Sequence, residues 1–300
     1  MQGLLGAVPV ATVGLVGLGL LGHAVASRLR AAGHAVIGHD IVPERREALA
    51  ALGGRAVTSV AAVAEAGDPV CVLLPSLAAV EEVVLGPTGL AATGRSGQTI
   101  VQMSTISPSL TERLARDVAA RGLSFLDCPV SGTSGMVARG DGIIFVGGDR
   151  ALYDRWRPLL ESILPRAVLV GRAGQAMVLK LVANLLVALN SAAAAEALAM
   201  VERAGLDVPL ALEVLTGSAA TSRMLEVRGP MIVKREFAPH MKLDLFMKDL
   251  HLIQDAASAV GAPVPLTDVA ERLYAAAQAA GHGGDDLSSV VTALGALSAR

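Results

Sequence analysis

The chain has 300 residues, of which 53% are hydrophobic, 17% charged and 2% aromatic, with a formal net charge of -2 at pH 7. That length suits two domains, each able to bury a core. The near-neutral charge and the scarcity of rings exclude a disordered chain and argue against a nucleic-acid partner, so a small molecule is the expected ligand.

No formally charged side chain occurs from Met1 to Ser27, so hydropathy alone would mark the first 22 residues as a membrane span or a signal segment. Gly14, Gly17, Gly19 and Gly22 interrupt the apolar run, no basic stretch precedes it and no small-residue cleavage site follows, so it is read as neither. ATVGLV (11–16) instead predicts an apolar strand, followed by a helix that ends at Ala32-Gly33. AVIGHD (35–40), PVCVLLP (69–75), QTIVQMS (98–104) and LSFLDCPV (123–130) predict further strands. Helical segments PERREALAALG, LAAVEEVVLG and SPSLTERLARDVAARG separate them, and GIIFVGG (142–148) and AVLVG (167–171) would finish the sheet. Strand and crossover helix in alternation predict a parallel sheet covered on both faces, a doubly wound α/β domain over residues 1–170.

Beyond Gly171 the pattern is helical, with one further strand expected only near Val264, so residues 171–300 read as an all-α domain. The 15 uncharged residues between Lys180 and Glu196 are too few to span a bilayer and predict a helix buried all round. Cys71 and Cys128 lie in apolar segments away from any histidine and read as buried thiols of a reducing cytoplasm. The six histidines are scattered, and no metal site is expected.

Gly17, Gly19 and Gly22 form G-x-G-x-x-G directly after a strand and at the start of a helix. The first glycine allows a tight turn, the second lets the backbone approach a pyrophosphate, and the third lets helix and strand pack closely. Asp40, 18 residues beyond Gly22 at the end of the next strand, can accept both ribose hydroxyls of NAD. The loop residues Gly17, Leu18, Gly19, Leu20, Leu21 and Gly22, with His39 and Asp40, are therefore the predicted cofactor-binding set. NAD is expected over NADP, because no arginine directly follows the strand; Arg45 and Arg46 stand in the next helix, and only a swing of Arg45 would reach a 2'-phosphate.

GLGLLG, LLPS (73–76), MSTISP (103–108), DCPVSGTSG (127–135), GQAMVLKLVANLL (174–186) and MKDL (247–250) occur in that order, and with them the chain resembles the β-hydroxyacid dehydrogenase family from about Ala11 to Leu294. That family includes 3-hydroxyisobutyrate dehydrogenase and tartronate semialdehyde reductase, and the resemblance implies a Rossmann domain followed by an all-helical domain. It implies Lys180 as the catalytic acid/base and Asn184, one helical turn on, as the residue that orients the substrate. Ser131, Gly132 and Thr133 match the substrate-carboxylate loop, although Thr133 stands where relatives often carry a second glycine. Leu74, Pro75 and Thr105 match positions beside the cofactor, and Lys248 matches a second lysine near the nicotinamide.

The activity implied is hydride transfer between NAD(H) and a small β-hydroxy acid or its semialdehyde, with no metal and with the lysine pKa lowered by burial and by Lys248. VALNSAAAAEAL and VGAPVPLT resemble tartronate semialdehyde reductase; HDIVPE resembles 3-hydroxyisobutyrate dehydrogenase. A catalytically silent dinucleotide-binding regulator and an imine-reductase-like enzyme are the alternatives. Lys180, Asn184 and Ser131 together argue against the first, and the lysine itself against the second. A homodimer or homotetramer, with neither nucleic acid nor membrane as partner, completes the expectation.

Overall fold

In the computed structural model, residues 10–297 are described. The chain divides by packing between Lys180 and Leu181. The first unit runs β1 (Thr12–Val16), α1 (Leu20–Ala31), β2 (Ala35–His39), α2 (Pro43–Ala51), β3 (Arg55–Ala56) and α3 (Val60–Ala66). It continues with β4 (Val70–Val72), α4 (Leu77–Leu85), α5 (Leu90–Thr93), β5 (Thr99–Gln102), α6 (Pro108–Ala119) and β6 (Ser124–Asp127). β7 (Val130–Ser131), α7 (Ser134–Ala138), β8 (Ile143–Gly147), α8 (Arg150–Ile163) and β9 (Ala167–Gly171) follow, and then the 29-residue α9 (Gln175–Arg203) begins.

The sheet order is β3-β2-β1-β4-β5-β6-β8-β7, with β9 beside β8. All pairs from β3 to β6 are parallel, the doubly wound arrangement expected of the alternating pattern. The last strands depart from the expected all-parallel sheet: β8 runs antiparallel to β6 and β7, and β9 is parallel to β8. Only α7, five residues long, lies between β7 and β8, and a parallel crossover needs a dozen or more connecting residues. The apolar N-terminal run is thus a strand, a turn and a helix, although residues 1–9 lie outside the described residues.

Period-two alternation divides the strand residues between two cores. Val13, Leu15, Cys71 and Val101 pack on one side with Val25 and Leu29 of α1 and with Trp156 and Leu160 of α8. Val16, Val70, Val72 and Ile100 pack on the other with Val63, Val80 and Leu114. Each such fully buried aliphatic side chain stabilises the fold by about 1.5–3 kcal/mol. Met177 belongs to the second core, so the first turn of α9 packs with the first unit.

The second unit contains α10 (Val208–Thr216), α11 (Arg223–Lys234), α12 (Leu243–Ala259), α13 (Pro265–Ala277) and α14 (Val291–Leu297), and among the described residues it has no strand. The strand expected near Val264 is absent, because Val264 instead precedes α13, which Pro265 opens with a helix-compatible φ. Tyr274 donates its hydroxyl to the Ala188 carbonyl of α9 at 2.8 Å. Arg228 Nε donates to Asp286 Oδ1 at 2.9 Å in a buried ion pair, and the backbone N–H groups of His240, Met241 and Ser288 also donate to that carboxylate.

α9 corrects the expectation of a helix buried all round. Ala176, Met177, Lys180, Leu181, Asn184, Ala188 and Ser191 are buried, but Val178, Val182 and Leu186, spaced four apart, are 43%, 48% and 53% exposed. Among the described residues α9 is the one helix long and apolar enough to cross a membrane by length and composition.

Candidate active site

The glycine loop joins β1 to α1 at the point where the sheet order reverses between β1 and β4, where open α/β sheets bind ligands. Gly17 has φ +96°, and a Cβ there would lie 2.1 Å from the Leu73 carbonyl oxygen at the end of β4. A Cβ on Gly22 would lie 2.1 Å from the Gly17 carbonyl oxygen, so the helix can approach the turn only without a side chain. Gly19 differs: the nearest atom to a Cβ there is Arg45 Nη1 at 3.9 Å. Gly19 also precedes α1 with no side-chain cap. An open backbone surface at a helix N-terminus suits a pyrophosphate, so these residues fit a dinucleotide.

Asp40 follows β2 and is 6% exposed. Its Oδ2 accepts the Leu18 N–H at 2.8 Å and its Oδ1 accepts the Val42 N–H at 2.9 Å, which ties the glycine loop to the end of the second strand. Burial by itself would raise the Asp40 carboxyl; the N–H groups of Val42 and Leu18 and the Arg45 guanidinium outweigh it and hold the pKa below the ordinary value. His39 turns its ring aside, with Nδ1 3.1 Å from the Val57 carbonyl oxygen, while its own carbonyl accepts the Gly17 N–H. Leu20 and Ile41 leave apolar side chains 74% and 87% exposed beside the loop and beside Asp40.

Leu74 and Pro75 follow β4, and the Leu74 N–H donates to Ser104 Oγ at 2.8 Å. The Gln102 side chain holds Ser104 through both its N–H and its carbonyl, so the ends of β4 and β5 are linked just before Thr105. Ser131 closes β7 and pairs with Ile143. Thr133 Oγ1 accepts the Met136 N–H at 3.2 Å and caps α7, which gives the hydroxyl absent from a glycine at that position a structural partner.

Lys180 is 7% exposed in the second turn of α9. The start of that helix is held by Asp127, the last residue of β6, whose Oδ2 accepts the N–H groups of Gly174 at 3.0 Å and Met177 at 3.1 Å. Burial pushes the Asp127 carboxyl up to about 7, against the opposing effect of those two N–H groups.

In the second unit, Asn184, 4% exposed, donates from Nδ2 to Asp249 Oδ2 at 2.8 Å. Lys248 Nζ lies 3.2 Å from Asp249 Oδ1, so Asp249 joins the two polar residues singled out there. Its signal in the sequence was adjacency to Lys248 in MKDL; Asp127 stood in DCPVSGTSG, where the hydroxyl and glycine residues drew the reading. Cys71 and Cys128 are fully buried free thiols, and burial pushes Cys71 up to about 12.

The chain is a nicotinamide dinucleotide-dependent dehydrogenase acting on a CH–OH group, as its relatives are, and its glycine cradle with a carboxylate at the next strand end fits the dinucleotide. Residues 12–171 match the family described as the NAD binding domain of 6-phosphogluconate dehydrogenase, and residues 174–294 that described as NAD-binding of NADP-dependent 3-hydroxyisobutyrate dehydrogenase. The chain belongs to the β-hydroxyacid dehydrogenase family.

It is 38% identical to 2-hydroxy-3-oxopropionate reductase of Escherichia coli, covering 94% of this chain and 96% of the relative. It is 35% identical to L-threonate dehydrogenase of Cupriavidus necator, covering 93% and 94%. The solved 3-hydroxyisobutyrate dehydrogenase of Salmonella typhimurium superposes with a TM-score of 0.85 at 32% identity, covering 94% of this chain and 99% of that one.

Proposed function

We propose that this enzyme interconverts a small β-hydroxy acid and its semialdehyde with NAD(H), and that Lys180 is its acid/base. The observation that carries the reading is the burial of Lys180 and Asn184 one helical turn apart on a helix otherwise rich in apolar residues. Burying a lysine costs stability, and ionisable groups kept from water at that cost concentrate at functional sites. When bound, the nicotinamide exchanges a hydride with the substrate's carbinol carbon. During oxidation neutral Lys180 would take the substrate's hydroxyl proton, and during reduction its ammonium would return a proton to the substrate oxygen. Asn184, held by Asp249, orients the substrate, and Ser131, Gly132 and Thr133 receive its carboxylate. Gly17 to Gly22, with Asp40, Leu74, Pro75, Thr105 and Lys248, receive the dinucleotide.

The two curated relatives above act, by their names, on hydroxylated three- and four-carbon acids, and we favour 2-hydroxy-3-oxopropionate and glycerate over 3-hydroxyisobutyrate as the substrate pair. The same reading takes the exposed apolar stripe Val178, Val182 and Leu186, with Leu210 and Val214 at 59% and 61%, as surface covered in a homodimer or homotetramer.

Lys180→Ala tests the assignment. The variant should fold and bind NAD with wild-type affinity while kcat falls on the order of a hundredfold or more. Wild-type turnover by Lys180→Ala would remove the acid/base, and failure of wild-type enzyme to turn over glycerate, 3-hydroxyisobutyrate, threonate or 3-hydroxypropionate with either dinucleotide would remove the substrate class.

A further inference from the structure

Eight described helices are preceded by a side chain that caps them locally: Ser59, Ser76, Ser107, Thr133, Asp149, Asp207, Ser222 and Asp286 each accept an N–H two or three residues further on. α9 is different. The residue before it is Gly174, at φ +91°, and a Cβ there would meet the Glu112 side chain at 2.8 Å. The oxygen that receives the N–H groups of Gly174 and Met177 instead comes from Asp127, 47 and 50 residues earlier in the chain. The start of α9 is therefore referenced to the end of a sheet strand as well as to the adjoining loop, where the Arg172 N–H donates to Gln175 Oε1 at 3.0 Å.

Asp127 is fully buried, pinned in the sheet between Gln102 of β5 and Gly147 of β8. Its Oδ2 takes both N–H groups, and Oδ1 is buried with no hydrogen-bond partner among the described residues. A carboxylate facing a helix N-terminus also interacts favourably with the helix dipole. Three residues beyond Met177 stands Lys180, so any slide or rotation of the first turn is carried directly to the lysine.

We infer that Asp127 is a positioning residue of the reaction: its carboxylate holds the first turn of α9 to the end of β6 and so sets where Lys180 stands. The inference rests on the assignment of Lys180 as acid/base. Displacing a catalytic group by about an ångström is enough to slow turnover by up to about a hundredfold without weakening the binding of ligands held elsewhere.

The chain's lysines are Lys180, Lys234, Lys242 and Lys248, so the full-length enzyme labelled with 13C at lysine Cε gives a spectrum simple enough to follow each one. The Lys180 cross-peak is identified with Lys180→Arg, and Lys234 serves as the internal reference. Asp127→Ala should move the Lys180 cross-peak and its titration midpoint, leave Lys234 in place, and lower kcat by about tenfold or more while KM for the dinucleotide stays within about twofold. Asp127→Asn keeps an acceptor oxygen and should restore both readouts. Should Asp127→Ala not fold, Asp127→Ser, whose shorter side chain cannot span to both N–H groups, takes its place in the comparison. An unmoved Lys180 cross-peak in a folded Ala or Ser variant, or an Asn variant that fails to restore it, overturns the inference. The spectrum is independent of turnover, so a Lys180→Ala enzyme with wild-type activity would dispose of the acid/base while the clamp is still judged by the cross-peak.

Discussion

Arg45 stands against Asp40, with Nη1 3.3 Å from Oδ2 and 3.4 Å from Oδ1, and its side chain is half exposed. On the proposed reading a carboxylate at Asp40 should favour a free ribose 2'-hydroxyl over a 2'-phosphate, and the neighbouring Arg45 guanidinium should oppose that preference. Arg46 is engaged, donating to the Asp40 carbonyl at 2.6 Å. An uncompensated clash costs roughly 2–4 kcal/mol, and the adjacent guanidinium should reduce this to about 1–2 kcal/mol, a preference for NAD of about five- to thirtyfold in kcat/KM. Arg45→Ala should widen the NAD/NADP ratio. Asp40→Ala should narrow it, and because Asp40 also holds the Leu18 N–H, both cofactors should lose affinity in that variant. Equal or better use of NADP by the unmodified enzyme would show that Asp40 does not read the ribose.

The Asn184–Asp249 hydrogen bond gives the second polar cluster a measurable signature. Asn184→Ala removes a buried donor from a carboxylate and should cost about 1–3 kcal/mol of stability, with a smaller loss of kcat than Lys180→Ala. Asn184→Asp sets two buried carboxyls against each other, so one must take up a proton. Its melting temperature should lie below that of Asn184→Ala at pH 8 and recover toward pH 5; a pH-independent difference would contradict the pairing.

For the carboxylate loop, Thr133 has a structural task as the cap of α7, which leaves Ser131 as the side chain whose removal isolates ligand binding. Ser131→Ala should raise KM for the hydroxy acid by about tenfold and leave KM for the dinucleotide unchanged. Simple alcohols such as 1-propanol should be poor substrates of the wild-type enzyme. Alcohol oxidation as efficient as that of the matching hydroxy acid would refute the assignment.

Asp127 also makes a prediction about stability. Its folded pKa is raised to about 7 from 3.8, so between these values the unfolded chain has lost the proton that the folded chain keeps. The native state binds more protons, and this group's contribution to stability falls as pH rises from about 4 to 7 and is constant beyond. Asp127→Asn abolishes the penalty of the buried charge, set against the loss of two charge-assisted hydrogen bonds, and should be stabilised relative to wild type by about 1–3 kcal/mol more at pH 8 than at pH 4. Denaturant melts of both proteins at the two pH values measure the difference; a gap that does not change with pH would mean that Asp127 titrates normally.

Much of the first unit was legible because its signals are local. Apolar runs such as PVCVLLP mark strands buried on both faces, and a glycine motif between a strand and a helix marks the cradle. β3 escaped notice because it is two exposed residues, Arg55 and Ala56, with no apolar pattern to announce it. The exposed stripe on α9 was hidden by composition: fifteen uncharged residues look alike whether they face a core or solvent, and only packing distinguishes Val182 from Leu181. Asp127 and Asp249 were missed for a related reason. The groups that donate hydrogen bonds to them, on Gly174, Met177 and Asn184, lie 47, 50 and 65 residues away, a separation at which spacing carries no information.

The unequal surroundings of the three loop glycines separate foldability from affinity within six residues. Gly17 and Gly22 each face a carbonyl oxygen that a methyl group would strike, so alanine at either is a folding lesion. Gly19 faces open space and only the tip of Arg45, so Gly19→Ala leaves the chain free to fold and obstructs only what comes to rest on the backbone there. Gly19→Ala should therefore weaken binding of the dinucleotide while the melting temperature stays at the wild-type value, the reverse of what alanine at Gly17 or Gly22 should do.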